Sequence, residues 1–238
     1  MKEQEVKEKP HYLGHRMRLR ERFLKDEGKS MADYELLELL LTIAIPRRDV
    51  KQKAKDLLKH FGSFNKVITA SQNSLSSYGL SENVITLLKV VKASAIKMSW
   101  QELSSRDEPI LSNFDYMLDY CRTAMSHLDI EEFRVIFLDA RLRIITEETL
   151  QRGSVNCVSV HPREVLKAAI QNNATSVILM HNHPSGNPQP SIKDLEVTKQ
   201  IIIALKSVDI NVNDHIIISS NTYYSFLEEG ILARLKKE

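Results

Sequence analysis

Two cysteines, one tryptophan and seven glycines in 238 residues narrow the field before any pattern is read. Cys121 and Cys157 lie far apart and form no Cys-x-x-Cys, which excludes a cysteine-rich zinc site and points to a reducing compartment, the cytoplasm. No apolar run approaches the roughly 18 residues of a membrane span. The most apolar stretch, ELLELLLTIAI, carries charge and stops at Pro46. The opening residues MKEQEVKEKP lack the apolar core of a secretory signal, so none is expected. Internal repeats and low-complexity segments are absent as well. What remains, 42% hydrophobic and 27% charged, is the composition of an ordinary globular chain long enough for one large or two small domains.

A net charge of +2 conceals an asymmetry. Residues 1–100 carry 19 Lys and Arg against 12 Asp and Glu, whereas residues 101–238 carry 14 against 19. A basic first half and a mildly acidic second half suggest different partners for each. The first half reads as short helices. HRMRLRERFLKDEG ends at a glycine, ADYELLELLLTIAI has a helical apolar period, DVKQKAKDLLKHFG runs from a capping Asp49 to Gly62, and a long helix follows Ser81. The polar, proline-containing LSSRDEPI, residues 103–110, is the expected boundary, giving a helical domain at 1–103 and a second domain at 110–238. Beyond it helices and strands alternate. A helix capped by Ser112 precedes two β-rich runs around the turn DAR. CVSV is a short strand, HPREVLKAAIQNN a helix, SVILM a buried strand, SIKDLEVTKQIIIALKSV a helix and INVNDHIIIS a strand, with a short helix at the end. That order implies an α/β or α+β domain with its sheet covered by helices.

The stretch HNHPSGNPQPSIKD, residues 181–194, concentrates the chemistry. Side chains alternate along a strand, so His181 and His183 project together from the end of SVILM. The Pro/Gly-rich turn then brings back Asp194, near the start of the next helix. Two imidazoles and a carboxylate form a three-ligand zinc site with a fourth position left for water. Ser191-x-x-Asp194 is equally a capping box that needs no metal.

The spacing His-x-His, seven residues, Ser-x-x-Asp is similar to the JAMM motif of the JAB/MPN metalloproteases, which include deubiquitinating isopeptidases. EEFRVIFLD, RGSV, HPREV, MHNHPSG and the Asp214–His215 pair extend the likeness, and the chain resembles the bacterial RadC proteins over nearly its whole length. The resemblance implies a helical, helix-hairpin-helix-like region followed by a JAB/MPN-like mixed sheet flanked by helices. It also implies Zn2+ held by His181, His183 and Asp194, and a peptide or protein substrate. A glutamate that accepts the water's proton is implied at the start of EEFRVIFLD. The RadC pattern Glu-x-Phe favours Glu131, the general JAB pattern Glu132; neighbours on a strand face opposite sides, and Glu131 is taken. Ser191 is implied as support for an oxyanion. His161 reads as structural, and His215 as a core hydrogen-bonding residue ahead of a group that supports a metal ligand.

The family's name suggests a DNA-associated function, with the metal domain as scaffold or nuclease. Arg16, Arg18, Arg20 and Arg22 beside His15 form a helical set able to meet phosphates without reading sequence. The candidate hairpin turn SSYGLSENV has Gly79 but no second glycine, so any DNA binding is expected to be weak and non-specific. The leading expectation is therefore a zinc-dependent amide, peptide or isopeptide hydrolase.

Overall fold

The computed structural model describes residues 11–153, 160–220 and 222–237. The chain divides into two compact units, Met1–Ala93 and Ser94–Glu238. The first contains α1 (His11–Asp26), α2 (Asp33–Ala44), α3 (Lys51–Phe61), α4 (Phe64–Thr69), α5 (Gln72–Ser77) and the first turns of α6 (Glu82–Ser104). Its core is apolar, with Leu37, Leu41, Ala54, Leu57, Leu75, Val84 and Leu88 fully buried. Gly62 ends α3 at φ 95°, a left-handed conformation that spares a side chain there from strain, and its N–H donates to the Leu58 carbonyl. Val50, not Asp49, takes the N-cap position of α3, although Asp49 Oδ1 does accept the Lys51 N–H at 2.9 Å.

The arginine set of α1 is only half available to a partner. Arg22 pairs with Glu35 at 2.5 Å, and Arg16 donates to the carbonyls of Ile45 and Arg48, tying α1 to α2 and the segment after it. Arg18 and Arg20 remain exposed and make no hydrogen bond or ion pair with another described residue. Nothing in the spacing of HRMRLRERF distinguishes the two pairs, because their contacts reach well beyond α1.

The second unit is built on a sheet with strand order β2-β1-β3-β4-β5. These are β1 (Glu132–Leu138), β2 (Ile144–Arg152), β3 (Ser176–Asn182), β4 (Asn211–Ile218) and β5 (Tyr223–Ser225). β1 runs antiparallel to β2 and β3, β3 and β4 are parallel, and β4 and β5 are antiparallel. α7 (Phe114–Met125), α8 (Pro162–Gln171), α9 (Ile192–Lys206) and α10 (Ile231–Leu235) complete the unit, with α9 connecting β3 to the parallel β4. Every residue of β3 is buried, which explains why SVILM carries no polar alternation. Val177 and Leu179 lie in one core with Phe133, Val135, Phe137 and residues of α8 and α9. Ile178 and Met180 lie in the other with Ile136, Leu138 and residues of α7.

Three expectations are corrected. A 3-10 turn, Ile110–Asn113, stands where a Ser112 cap was expected, and α7 begins at Phe114. β5 was not anticipated; at three residues it is too short to leave a pattern. The units also divide inside α6 rather than at 103–110. Ile96, Trp100 and Leu103 continue the apolar face of α6 into the core that holds Ile110 and Met117. The polar stretch after them is thus a turn within the second unit. The expected strand at 157–160 and Cys157 fall almost wholly outside the described residues. Cys121 is buried, and burial pushes its thiol up to about 12.

This division predicts the behaviour of fragments. A chain of residues 94–238 keeps Leu103, 3% exposed, and Trp100, whose ring centroid lies 5.0 Å from that of Tyr120. A chain of residues 110–238 loses both, and truncating one large core side chain costs about 2–5 kcal/mol. Urea titration should therefore find the shorter fragment weaker by several kcal/mol or unfolded. Equal stability would return the boundary to the polar segment.

Candidate metal centre

His181 is the sixth residue of β3 and shares the sheet face of Val177 and Leu179, the face covered by α8 and α9. His183 follows the strand, its backbone N–H still bonded to the Ile218 carbonyl of β4 at 2.8 Å, which prolongs the extended geometry. The chain then turns, with Gly186 at φ 86° donating to the His183 carbonyl, and re-enters at Ser191, the N-cap of α9. Ser191 Oγ accepts the Asp194 N–H at 3.2 Å, and Asp194 Oδ2 accepts the Ser191 N–H at 2.6 Å. The capping box is present, and it does not displace the cluster. The same Asp194 carboxylate reaches both histidines.

His181 Nε2 and His183 Nε2 are 2.8 Å apart, and they lie 3.3 Å and 3.5 Å from Asp194 Oδ1 and Oδ2 respectively. A tetrahedral ion with bonds of about 2.0–2.1 Å separates its donors by about 3.3 Å, so a group this close together could share one metal ion. Donor chemistry agrees. His183 Nδ1 lies 2.7 Å from the Asn187 carbonyl, which can only accept, so the hydrogen of a neutral ring sits on Nδ1 and Nε2 offers a lone pair. Among the described residues, His181, His183 and Asp194 are the group of His, Cys, Asp and Glu side chains able to hold a metal ion.

Burial pushes the His181 pKa down to about 4, so it is neutral at pH 7, as a metal ligand must be. For Asp194 burial acts upward, but a hydrogen bond from the protonated His183 ring, the nearby His181 and hydrogen bonds from Ser191 outweigh it and hold the carboxyl well below its ordinary range. Burial also opposes protonation of His183, yet Asp194, the Asn187 carbonyl and Glu131 together raise its pKa.

The two candidate glutamates go to opposite sides. Glu132, 4% exposed, faces away from the histidines and pairs with Arg134 at 2.7 Å and Arg152 at 3.1 Å. Glu131 precedes β1, half-buried, close enough to interact with both His183 and Asp194. Burial raises its pKa, Asp194 adds to the rise and His183 opposes it. The backbone around Glu131 is clamped by Asn182, the residue between the two histidines. Asn182 Oδ1 accepts the Glu132 N–H at 2.8 Å, and Asn182 Nδ2 donates to the Ile130 carbonyl at 3.0 Å.

His161 occupies the N-cap position of α8, exposed and without a cap hydrogen bond, and is no part of the cluster. His215 is fully buried, and Nε2 sits 2.8 Å from His181 Nδ1, so its hydrogen bond is to a candidate ligand. Its neighbour Asp214 looks elsewhere. It accepts from Ser225 Oγ, the His215 N–H and the Leu227 N–H, securing the turn after β5, and burial lifts its pKa to about 6. Sequence reading passed over Asn182 and Thr198. Thr198 stands four residues after Asp194, on the same helix face, and that spacing is the signal that was available.

Comparison with known proteins agrees with this geometry. Residues 111–231 match the RadC-like JAB domain. A UPF0758 protein of Ruegeria pomeroyi is 45% identical over 225 residues, covering 94% of this chain and 100% of that relative. Another, from Rhodobacter capsulatus, is 45% identical over 215 residues, covering 90% of this chain and all of the relative. With a helical unit ahead of a helix-flanked mixed sheet, and the match spanning the candidate metal centre, this chain belongs to the RadC family.

Proposed function

We propose that the chain is a zinc-dependent hydrolase of amide bonds, in a peptide or isopeptide linkage. One observation carries this reading: two imidazoles and a carboxylate gathered closely enough to share one metal ion, with the Glu131 carboxylate near them and not among them. Bound zinc supplies two things at such a site, a coordinated water with a pKa near 7 and polarisation of the substrate carbonyl. Two imidazoles and a carboxylate leave a coordination position open, the pattern of catalytic rather than structural zinc.

The side chains then have separable tasks. Glu131 accepts the proton of the attacking water and passes it to the leaving amine, a role suited to a carboxylate whose burial moves its pKa toward neutrality. Ser191 already accepts the Asp194 N–H, so its hydroxyl hydrogen is what it has left to offer a developing oxyanion. Glu132 is committed to Arg134 and Arg152 and takes no part.

Purified protein should carry one zinc per chain by elemental analysis, and a His181→Ala/His183→Ala double variant none. Full retention in that variant would sink the site. Glu131→Gln should keep the metal and lose about 10²–10⁴-fold in turnover, read by mass spectrometry on a peptide and isopeptide library. Glu132→Gln should instead lower stability by loosening the arginine pair, with turnover per folded molecule little changed. The reverse assignment of phenotypes would make Glu132 the base. Because Glu131 must be ionised to act and its pKa is raised, activity should fall on acidification while the pH is still above the ordinary carboxylate range. Glu131→Gln should abolish the part of that limb over which zinc content stays constant, since protonation of His183 would add a separate loss of metal.

A second reading, weak non-specific DNA binding by the helical unit, is supported by the exposure of Arg18 and Arg20 alone. With Arg16 and Arg22 engaged internally, Arg18 and Arg20 can neutralise about two phosphates, contributing about −2 to the slope of log K against log salt. Arg18→Ala/Arg20→Ala should flatten it and leave zinc content unchanged. No measurable affinity at low salt removes this reading.

A further inference from the structure

Hydrogen bonds have direction, and around His181 the directions can be read one after another. A carbonyl oxygen only accepts, so the Thr198 hydroxyl, in short contact with the Asp194 carbonyl, spends its hydrogen there. The Thr198 oxygen is left to accept. Its neighbour, 2.7 Å away, is His215 Nδ1, which must therefore carry the ring hydrogen. His215 is fully buried against the rings of Phe133 and Phe226, surroundings that keep an imidazole neutral, with a single N–H. Its Nε2 is then a bare acceptor. That atom lies 2.8 Å from His181 Nδ1, which has to be the donor. His181 consequently has its hydrogen on Nδ1 and a lone pair on Nε2, the atom facing His183 and Asp194.

We infer that Thr198 and His215 are positioning residues that hold His181 in the one tautomer able to bind a metal ion. Run in the opposite direction, the same chain would place a hydrogen on His181 Nε2 and block the site. What fixes the direction is the far end, where the Asp194 carbonyl can take a hydrogen but never give one. The arrangement also closes on itself, since the residue whose carbonyl sets the direction supplies the third donor of the cluster through its side chain. Thr198 does this from the helix turn that follows Asp194, and His215 from the strand parallel to β3. A histidine that merely packed the core would leave the His181 tautomer free to follow whatever occupied the site.

The inference rests on the metal-hydrolase reading for its purpose, but its test does not need activity. In metal-free wild-type protein, 15N NMR of the imidazoles should show His181 and His215 both as the Nδ1–H tautomer. Thr198→Val, close to Thr in shape, removes the acceptor for the His215 Nδ1–H. His215 should then move its hydrogen to Nε2 and donate to His181 Nδ1, driving His181 to the Nε2–H form. Zinc affinity, measured by competition with a chromophoric chelator, should fall roughly 10- to 100-fold, the usual effect of losing a ligand's supporting hydrogen bond. Thr198→Ser should restore both the tautomer and the affinity. An Nε2–H His181 in the metal-free wild type would overturn the inference, and so would a folded Thr198→Val protein that binds zinc as wild type does. A wild-type protein with the Nδ1–H tautomer but no affinity for zinc would instead overturn the metal-hydrolase reading and leave the relay standing.

Discussion

The Asp194 carboxylate serves two tasks at once, and its Oδ2, 3.5 Å from His183 Nε2, belongs to both. Oδ2 accepts the Ser191 N–H and closes the cap of α9, while Oδ1 lies 3.3 Å from His181 Nε2. The start of a helix and the vertex of a candidate metal centre are therefore the same group. The helix N-terminus favours a negative charge at that place, which helps keep Asp194 ionised despite its burial. A folded-state pKa below the unfolded one means that this stabilisation is present above the unfolded value, near 4, and is lost only as the pH falls through the lower folded value. A protonated Asp194 would also be a poor metal ligand. The condition that keeps α9 docked at the end of β3 is the condition that keeps the third donor available.

Strand alternation sorts the remaining chemistry by face. The α9 side receives His181 and His215, dry and hydrogen-bonded to each other. The opposite side receives Glu132, Arg134 and Glu147, a charge group whose members satisfy one another. A Glu-Glu pair at the head of β1 thus places one carboxylate near the histidines and gives the other to the arginines. Asn182 connects the faces. It sits between the two histidines in sequence, points the other way, and holds the backbone on both sides of Glu131 with its own amide. The spacing between the glutamate and the donor cluster is fixed through β3 itself.

Much of this was legible in the sequence because the relevant contacts are local. The alternation in MHNH, the seven-residue turn and the Ser-x-x-Asp start of a helix are short-range features, and they bring His181, His183 and Asp194 together. Whether Ser191 and Asp194 were cap or cluster could not be separated by spacing, and the structure gives Asp194 both places. What the sequence concealed depends on distant packing. The arginines of α1 look equivalent until Glu35 and the carbonyls of Ile45 and Arg48 choose among them. The unit boundary was hidden because the apolar face of α6 serves two cores in succession, so no change of pattern marks Ala93. The spacing of Thr198 puts it on the helix face of Asp194, but its contact with His215 needs the rotation of α9 relative to β4, which spacing along one helix does not carry.

The two histidines are held unequally, and the difference follows from where the chain leaves the sheet. His181 is inside the strand, enclosed, and bonded through His215 to the body of the domain, so burial rather than a partner's charge keeps it neutral. His183 is beyond the strand and more exposed, and its Nδ1 is held by a carbonyl of the loop it begins. Asp194 and Glu131 both favour its protonated form. Protons therefore compete with a metal ion at His183 rather than at His181. The same two carboxylates that make His183 basic are the ones a metal ion would find beside it, so the negative charge that favours a proton at low pH favours a divalent cation once that proton has gone. Of the two, the strand donor is already neutral, and the loop donor is the one that must first give up a proton.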